Sequence, residues 1–93
     1  MFDRILKRAR DKIRSREYVV TYHARKEMNE DDLSIYDLER AILKGEIVER
    51  QLDKTTRGSK YRIRGQNIDG VMIEVVVKLG PEGTLVIITV YIL

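Results

Sequence analysis

Hydrophobic residues recur three to four positions apart along the first half of the chain, which is the spacing of one helix face. The pattern predicts a helix over roughly 3–16, a short helix over about 22–29 and a third helix between Ser34 and Gly45. Asp37 follows Ser34 by three residues in a near capping box, and Gly45 is a natural residue after a helix end. The sequence therefore predicts two to three N-terminal helices, and the first is an amphipathic basic extension over residues 1–17.

Beyond Gly45 the hydrophobic spacing changes to the alternation of β-strands. Four strands are predicted, at 46–50, 60–64, 71–79 and 84–93. Short turns connect them, and Asp69-Gly70 is a strong hairpin signal. Because connections this short do not return a chain to a parallel neighbour, the four strands are predicted to form an antiparallel meander. Residues 18–21 are rich in β-formers, but this segment is too short to be more than an entry strand or an extended linker.

The predicted fold is thus a single α+β domain over residues 1–93, with the helices packed on one face of a four-stranded antiparallel sheet. Alternation places Ile63 and Val75 on the face that the helices cover. The opposite face, predicted to stay partly exposed, carries Lys60, Arg62, Arg64 and Lys78.

Composition narrows the class of protein. The chain contains no cysteine, which excludes disulfides and thiolate metal sites. Its longest apolar stretch, over 85–93, is about half of a membrane span, and no signal peptide is visible, so we expect a cytoplasmic protein without membrane association. One histidine and no cofactor motif lead us to expect neither a metal nor a cofactor.

The net charge of +3 is unevenly distributed along the chain. Local charges are +4 over residues 1–17, −3 over 18–50, +4 over 51–64 and −2 over 65–93. Two basic segments around an acidic one indicate a surface for a polyanion such as RNA. The alternative is an ordinary solvated surface, because charged runs are commonest there.

Three features could carry chemistry. His23 is the only side chain whose ordinary titration range suits proton transfer near neutral pH, and its alternative role is to pair with Glu27 four residues on. Tyr91 is a candidate proton donor or orienting hydroxyl, and its alternative role is a core tyrosine with its hydroxyl at the rim. The candidate substrate-binding residues are Arg25, Arg57, Lys60, Tyr61 and Arg62, which supply phosphate contacts and a surface for base stacking. A charged edge strand explains the cations equally well.

Several of these residues lie in a pattern that resembles a family of small prokaryotic proteins of unknown function. The pattern comprises Tyr22-His23-Ala24-Arg25 with Met28, Leu33-Ser34, Lys44-Gly45-Glu46, Arg57-Gly58 with Lys60-Tyr61, Asp69-Gly70 and the run 86–91. The resemblance spans roughly residues 18–91. Such proteins distantly resemble the RelE/ParE and BrnT toxins, whose helices precede an antiparallel sheet, so the resemblance implies a RelE/ParE-like fold.

The same resemblance implies a toxin of a toxin–antitoxin pair, with a zinc-finger or helix-turn-helix antitoxin as partner. Since the 2′-hydroxyl of RNA is itself a nucleophile, a base, an acid and a few cations suffice for cleavage. The leading prediction is therefore a metal-independent endoribonuclease that acts on RNA, free or on the ribosome, with His23 and Tyr91 as catalytic residues. The alternatives are a non-catalytic, ParE-like module that docks on protein or nucleic acid through its basic sheet face, or a domain with neither activity.

Overall fold

The computed structural model describes residues 2–54 and 58–93 and is an α+β domain, as predicted. Its elements are α1 Asp3–Arg14, β1 Tyr18–Val20, α2 Tyr22–Glu30, α3 Ile35–Lys44, β2 Glu46–Leu52, β3 Ser59–Gln66, β4 Met72–Leu79 and β5 Leu85–Ile92. The predicted helices are confirmed to within two residues at each end. In the part of the chain described, no helix has the length and apolar character needed to cross a membrane.

The sheet has five strands in the order β1-β5-β4-β3-β2. The antiparallel meander is correct for β2 to β5, but the prediction of a four-stranded, wholly antiparallel sheet is wrong. The segment 18–20 is a fifth strand that pairs with β5 in parallel, in the register Tyr18↔Leu85. Parallel pairing is allowed here because two helices and three strands separate β1 from its partner.

The helices cover the face of Ile63 and Val75, as predicted, and both of these side chains are fully buried. Helix α3 contributes Leu38 and Ile42 to this core, and α1 contributes Ala9 and Ile13. The basic N-terminal extension is therefore part of the folded core. Its other face stays charged, as the amphipathic pattern requires.

Helix α2 lies along the edge of β5 beyond the end of β1. The N–H of Thr21 donates to the Ile87 carbonyl at 3.1 Å, and its hydroxyl donates to the Ile88 carbonyl at 2.9 Å. The same hydroxyl accepts from Ala24 N–H and caps α2. Because Thr21 joins both elements, α2 lies beside β5 and its side chains reach the edge of the open sheet face.

A close approach of α3 to β3 depends on glycine. A Cβ atom on Gly65 would lie 2.4 Å from the Ala41 carbonyl oxygen, and one on Gly45 would lie 2.3 Å from the same atom. Such distances are sterically forbidden, so only glycine fits at either position. Arg10 of α1 closes this end of α3 by donating to the Gly45 carbonyl at 2.7 Å.

Candidate functional site on the open sheet face

A buried carboxylate lies in the middle of the sheet face that the helices leave open. Glu74 of β4 is fully buried. Arg62 Nη1 donates to its two oxygens at 2.8 and 2.9 Å, Arg64 Nε donates at 2.7 Å, and the Tyr91 hydroxyl donates as well. These four residues are called the Glu74 cluster below. Every member comes from the sheet, so the cluster is held on rigid elements.

Strand register explains why these side chains meet. Glu74 lies opposite Arg64 of β3 and opposite Tyr91 of β5, and directly opposed residues point to the same face. Arg62 is two residues from Arg64 and shares that face. The carboxylate is thus flanked on both sides, and no helix is needed to shield it from water.

The hydrogen bonds decide the charge of the cluster. Burial alone would raise the pKa of Glu74, but the hydrogen bonds from Arg62, Tyr91 and Arg64 outweigh it and lower this pKa to about 2. Burial, followed by the hydrogen bond to Glu74, raises the pKa of Tyr91. At neutral pH the cluster therefore contains an ionised carboxylate, a neutral phenol and two guanidinium ions.

Both arginines keep a donor edge available to a ligand. Arg62 uses Nη1 on Glu74 and Nε on Glu49 at 3.1 Å, and Arg64 uses both Nε and Nη2 on Glu74, each at 2.7 Å. Within residues 2–54 and 58–93, Arg62 Nη2 and Arg64 Nη1 donate no hydrogen bond. The arginine side chains are 24% and 42% exposed. Two oriented guanidinium groups with free N–H bonds can bind an anion, and phosphate matches their geometry.

His23 lies at the edge of the same face, where α2 meets β5. Its Nε2 is 3.4 Å from Glu27 Oε1, so the predicted alternative of a His23–Glu27 pair is confirmed. The Thr89 hydroxyl and the Val90 N–H donate to the same carboxylate oxygen. Thr89 and Tyr91 are two residues apart on one face of β5, which is about 7 Å along a strand. Because His23 is 66% exposed, its imidazole is accessible from solvent despite the Glu27 contact.

The remaining predicted site residues do not all lie on this face. Lys60 does, and it forms no ion pair with any residue that the structure describes. Tyr61 lies on the helix-covered face, where its ring meets that of Phe2 edge-on, with 6.2 Å between centroids. Arg25 lies on the other side of α2 from His23, with its Nε 3.4 Å from the Val20 carbonyl oxygen. Arg57 is outside the described residues.

The open face is less basic than its sequence indicates. Arg62 and Arg64 are bound to Glu74, and Lys78 pairs with Asp53 at 3.2 Å. Glu74 was not among the site residues predicted from the sequence. The available signal was its position, since Glu74 is the only charged residue in the otherwise apolar run 71–77.

Comparisons with known proteins show the family and no more. No curated protein and no solved structure matches the chain, so the predicted resemblance to RelE, ParE and BrnT toxins is not confirmed. Across the described positions, no group of three or more Asp, Glu or His side chains could hold a metal ion. The family model of DUF4258, a domain of unknown function, matches residues 20–92, which cover every element except α1 and most of β1. The chain therefore belongs to the DUF4258 family.

Proposed function

We propose that this protein is a metal-independent endoribonuclease of the toxin type that acts on RNA in the cytoplasm. One observation carries the proposal: the Glu74 cluster holds two arginines with free donor edges on an open sheet face, and the exposed His23 lies at the β5 edge of that face. Cleavage of RNA at neutral pH requires fixed cations that bind a phosphate and a group that can accept a proton.

In the proposed reaction, the 2′-oxygen of a ribose attacks the adjacent phosphorus and the bond to the 5′-oxygen breaks. His23 accepts the proton of the 2′-hydroxyl, and the leaving 5′-oxygen takes a proton from solvent. Arg62 Nη2 and Arg64 Nη1 bind the non-bridging oxygens and stabilise the charge that develops on them. Lys60, on the same face and without an ion pair among the described residues, adds positive charge for the RNA backbone.

Tyr91 has a different role in this proposal from the one its sequence position predicts. Its only hydroxyl proton is donated to Glu74. Its pKa is raised, first by burial and then by that hydrogen bond, which makes it a poor acid. We therefore assign Tyr91 as a positioning residue that holds Glu74, and through it the two arginines, in place.

The test is cleavage of a mixed-sequence RNA in EDTA, in one series with RNA alone and in a second with mRNA on purified ribosomes. The proteins are wild type, His23→Ala, Arg64→Ala and the control Asn29→Ala, which changes another exposed residue of α2. Circular dichroism checks folding. We expect wild type and the control to cleave and the other two variants to lose at least about 100-fold in rate. Cleavage by folded His23→Ala at the wild-type rate would refute the assignment of His23.

One observation favours a second candidate, a non-catalytic module that docks on a protein or nucleic acid. Three of the four cations on the open face already have carboxylate partners, so the face is closer to neutral than a dedicated RNA-binding surface. Absence of cleavage in both series would select this function. His23→Ala would then leave affinity for a captured partner, such as an antitoxin of the zinc-finger or helix-turn-helix type, unchanged.

A further inference from the structure

A groove follows the outer edge of β1, away from the open sheet face. Its volume is about 620 Å³. The apolar part of its lining comes from Val19 and Val20 of β1, Met28 of α2 and Ile35 at the start of α3. Tyr18 and the arginines at positions 16 and 25 complete it. The groove is therefore apolar along the strand and carries two cationic side chains.

The strand beside this groove has unpaired backbone groups. The N–H of Leu85 donates to the Glu17 carbonyl at 3.3 Å, and the N–H of Thr21 donates to the Ile87 carbonyl at 3.1 Å, so alternate residues of this segment face β5. By that alternation, Tyr18 and Val20 direct their N–H and C=O groups outward. No described strand lies beyond β1. Among the residues that the structure describes, only Arg25 contacts these outward groups, with its Nε 3.4 Å from the Val20 carbonyl oxygen, which is long for a hydrogen bond.

The other edge of the sheet is protected and β1 is not. Strand β2 carries Glu46, Glu49 and Arg50 and has a register shift after Ile47, and both charge and irregularity discourage further strand pairing. On β1, by contrast, Val19 is 51% exposed. The sheet is thus open to strand addition on its β1 side.

Charge identifies the kind of segment that fits the groove. Arg16 precedes β1, Arg25 reaches its last residue, and neither has a carboxylate partner among residues 2–54 and 58–93. Glu17, which is close in sequence, pairs with Lys12 at 3.7 Å. Glu39 accepts the Tyr18 hydroxyl on the helix-covered face. A second copy paired across β1 would bring like-charged arginines together, so the charges disfavour self-pairing.

We infer that the β1 edge binds an extended segment of a partner protein, which joins the sheet as a sixth strand and carries acidic residues at both ends. Backbone hydrogen bonds to Tyr18 and Val20 supply affinity, and alternate apolar side chains of the segment contact Val19 and the apolar groove. Arg16 and Arg25 select the acidic ends. This inference is independent of the proposed ribonuclease activity, since the groove and the Glu74 cluster share no residue.

A selection from displayed random nine-residue peptides tests the inference. Wild type and the double variant Arg16→Glu/Arg25→Glu are the targets, and Arg4→Glu/Arg8→Glu, with the same charge change on the exposed face of α1, is the control. We expect enriched peptides to alternate apolar residues and to end in acidic ones. They should bind the groove variant at least about tenfold more weakly than wild type and bind the control as wild type. In the complex, hydrogen exchange of the Tyr18 and Val20 amides should slow.

Three results would overturn the inference. One is the absence of any enriched peptide, or enrichment without acidic ends. Another is equal binding to wild type and to the folded groove variant. The third is a dimer in sedimentation whose Tyr18 and Val20 amides are protected without peptide, because a second copy would then occupy the edge. The RNA cleavage series measures a different activity, so a failure of one proposal can be recognised independently of the other.

Discussion

Replacement of Glu74 by glutamine removes the charge at the centre of the open sheet face and keeps the shape of the side chain. Arg62 and Arg64 then face a neutral amide, and part of that amide is itself a donor. The variant therefore loses the ion pairs and brings donors against donors. The phenol of Tyr91 can still donate to the amide oxygen, so the change isolates the effect of the arginines.

The size of the effect follows from the depressed pKa of Glu74 and from the cost of breaking a buried ion pair. The pKa of Glu74 falls from its ordinary 4.5 to about 2, and at about 1.4 kcal/mol per pH unit this corresponds to a contribution of about 3 kcal/mol to stability at neutral pH. Loss of one partner from a buried ion pair costs about 3–5 kcal/mol. The arginines keep some access to water, so we expect the lower end, about 3 kcal/mol, and a fall in Tm on the order of 15 °C for a domain of 93 residues.

The assay is urea unfolding of wild type and Glu74→Gln, followed by circular dichroism, at several pH values between 7 and 2. Because the folded-state pKa is depressed, the Glu74 contribution is fully present above about pH 4.5 and disappears as pH falls through about 2. The difference in free energy of unfolding between the two proteins should therefore be about 3 kcal/mol at pH 7 and shrink steadily below pH 4.5. Other carboxylates titrate in this range, so the difference is the quantity to follow.

Glu82→Gln is the matched control, because Glu82 is an exposed glutamate in the turn before β5. It should change the free energy of unfolding by less than about 0.5 kcal/mol at every pH. A loss of stability below about 1 kcal/mol in Glu74→Gln at pH 7 would refute the stabilising role of the Glu74 cluster. A loss that stays constant on acidification would refute it equally, since the pH dependence comes from ionisation of Glu74 alone.

Two further predictions concern other parts of the fold. Burial, followed by the hydrogen bond to Glu39, raises the pKa of Tyr18 to about 12. The protonated Tyr18 hydroxyl therefore contributes to the free energy of unfolding below about pH 10, and this contribution is lost as pH rises through 12. Tyr18→Phe should cost about 1 kcal/mol at pH 7 in urea unfolding and remove this alkaline loss, whereas Tyr22→Phe, at an exposed position, should do neither. Gly65→Ala should lower stability by more than about 3 kcal/mol, because its methyl group meets the Ala41 carbonyl, and a thermal melt close to that of wild type would contradict the observed approach of α3 to β3.

Local sequence rules accounted for most of the elements. Helix α3 is defined by short-range signals alone. The Ser34–Asp37 capping box marks its start, Leu38 and Ile42 form its buried stripe, and Gly45 marks its end, so the sequence was sufficient there. The partner of β1 was a different problem. Residues 18–20 fit a strand, but their partner lies in β5, and nothing in the local pattern specifies a parallel pairing over that distance.

The candidate site could be predicted from the sequence only where the spacing of residues within one helix or one strand brings its side chains together. The His23–Glu27 pair follows from helical spacing, and the shared face of Arg62 and Arg64 follows from strand alternation. The convergence on Glu74 depends on the register of three strands, which alternation does not determine. The same limit explains Tyr61, whose contact with Phe2 depends on how α1 packs against the sheet.

The pairing of β1 with β5 also determines how the chain assembles in time. The hydroxyl of Thr21 bonds to the carbonyl of Ile88 across 67 residues, whereas each strand of the meander pairs with its neighbour in sequence. Long loops close late because of their entropy, so β1 and α2 dock on β5 only after that strand is in place. During synthesis, residues 18–30 are therefore made well before the strand that they pack against. In the finished protein, the β1 edge is the segment that should open first without unfolding the meander.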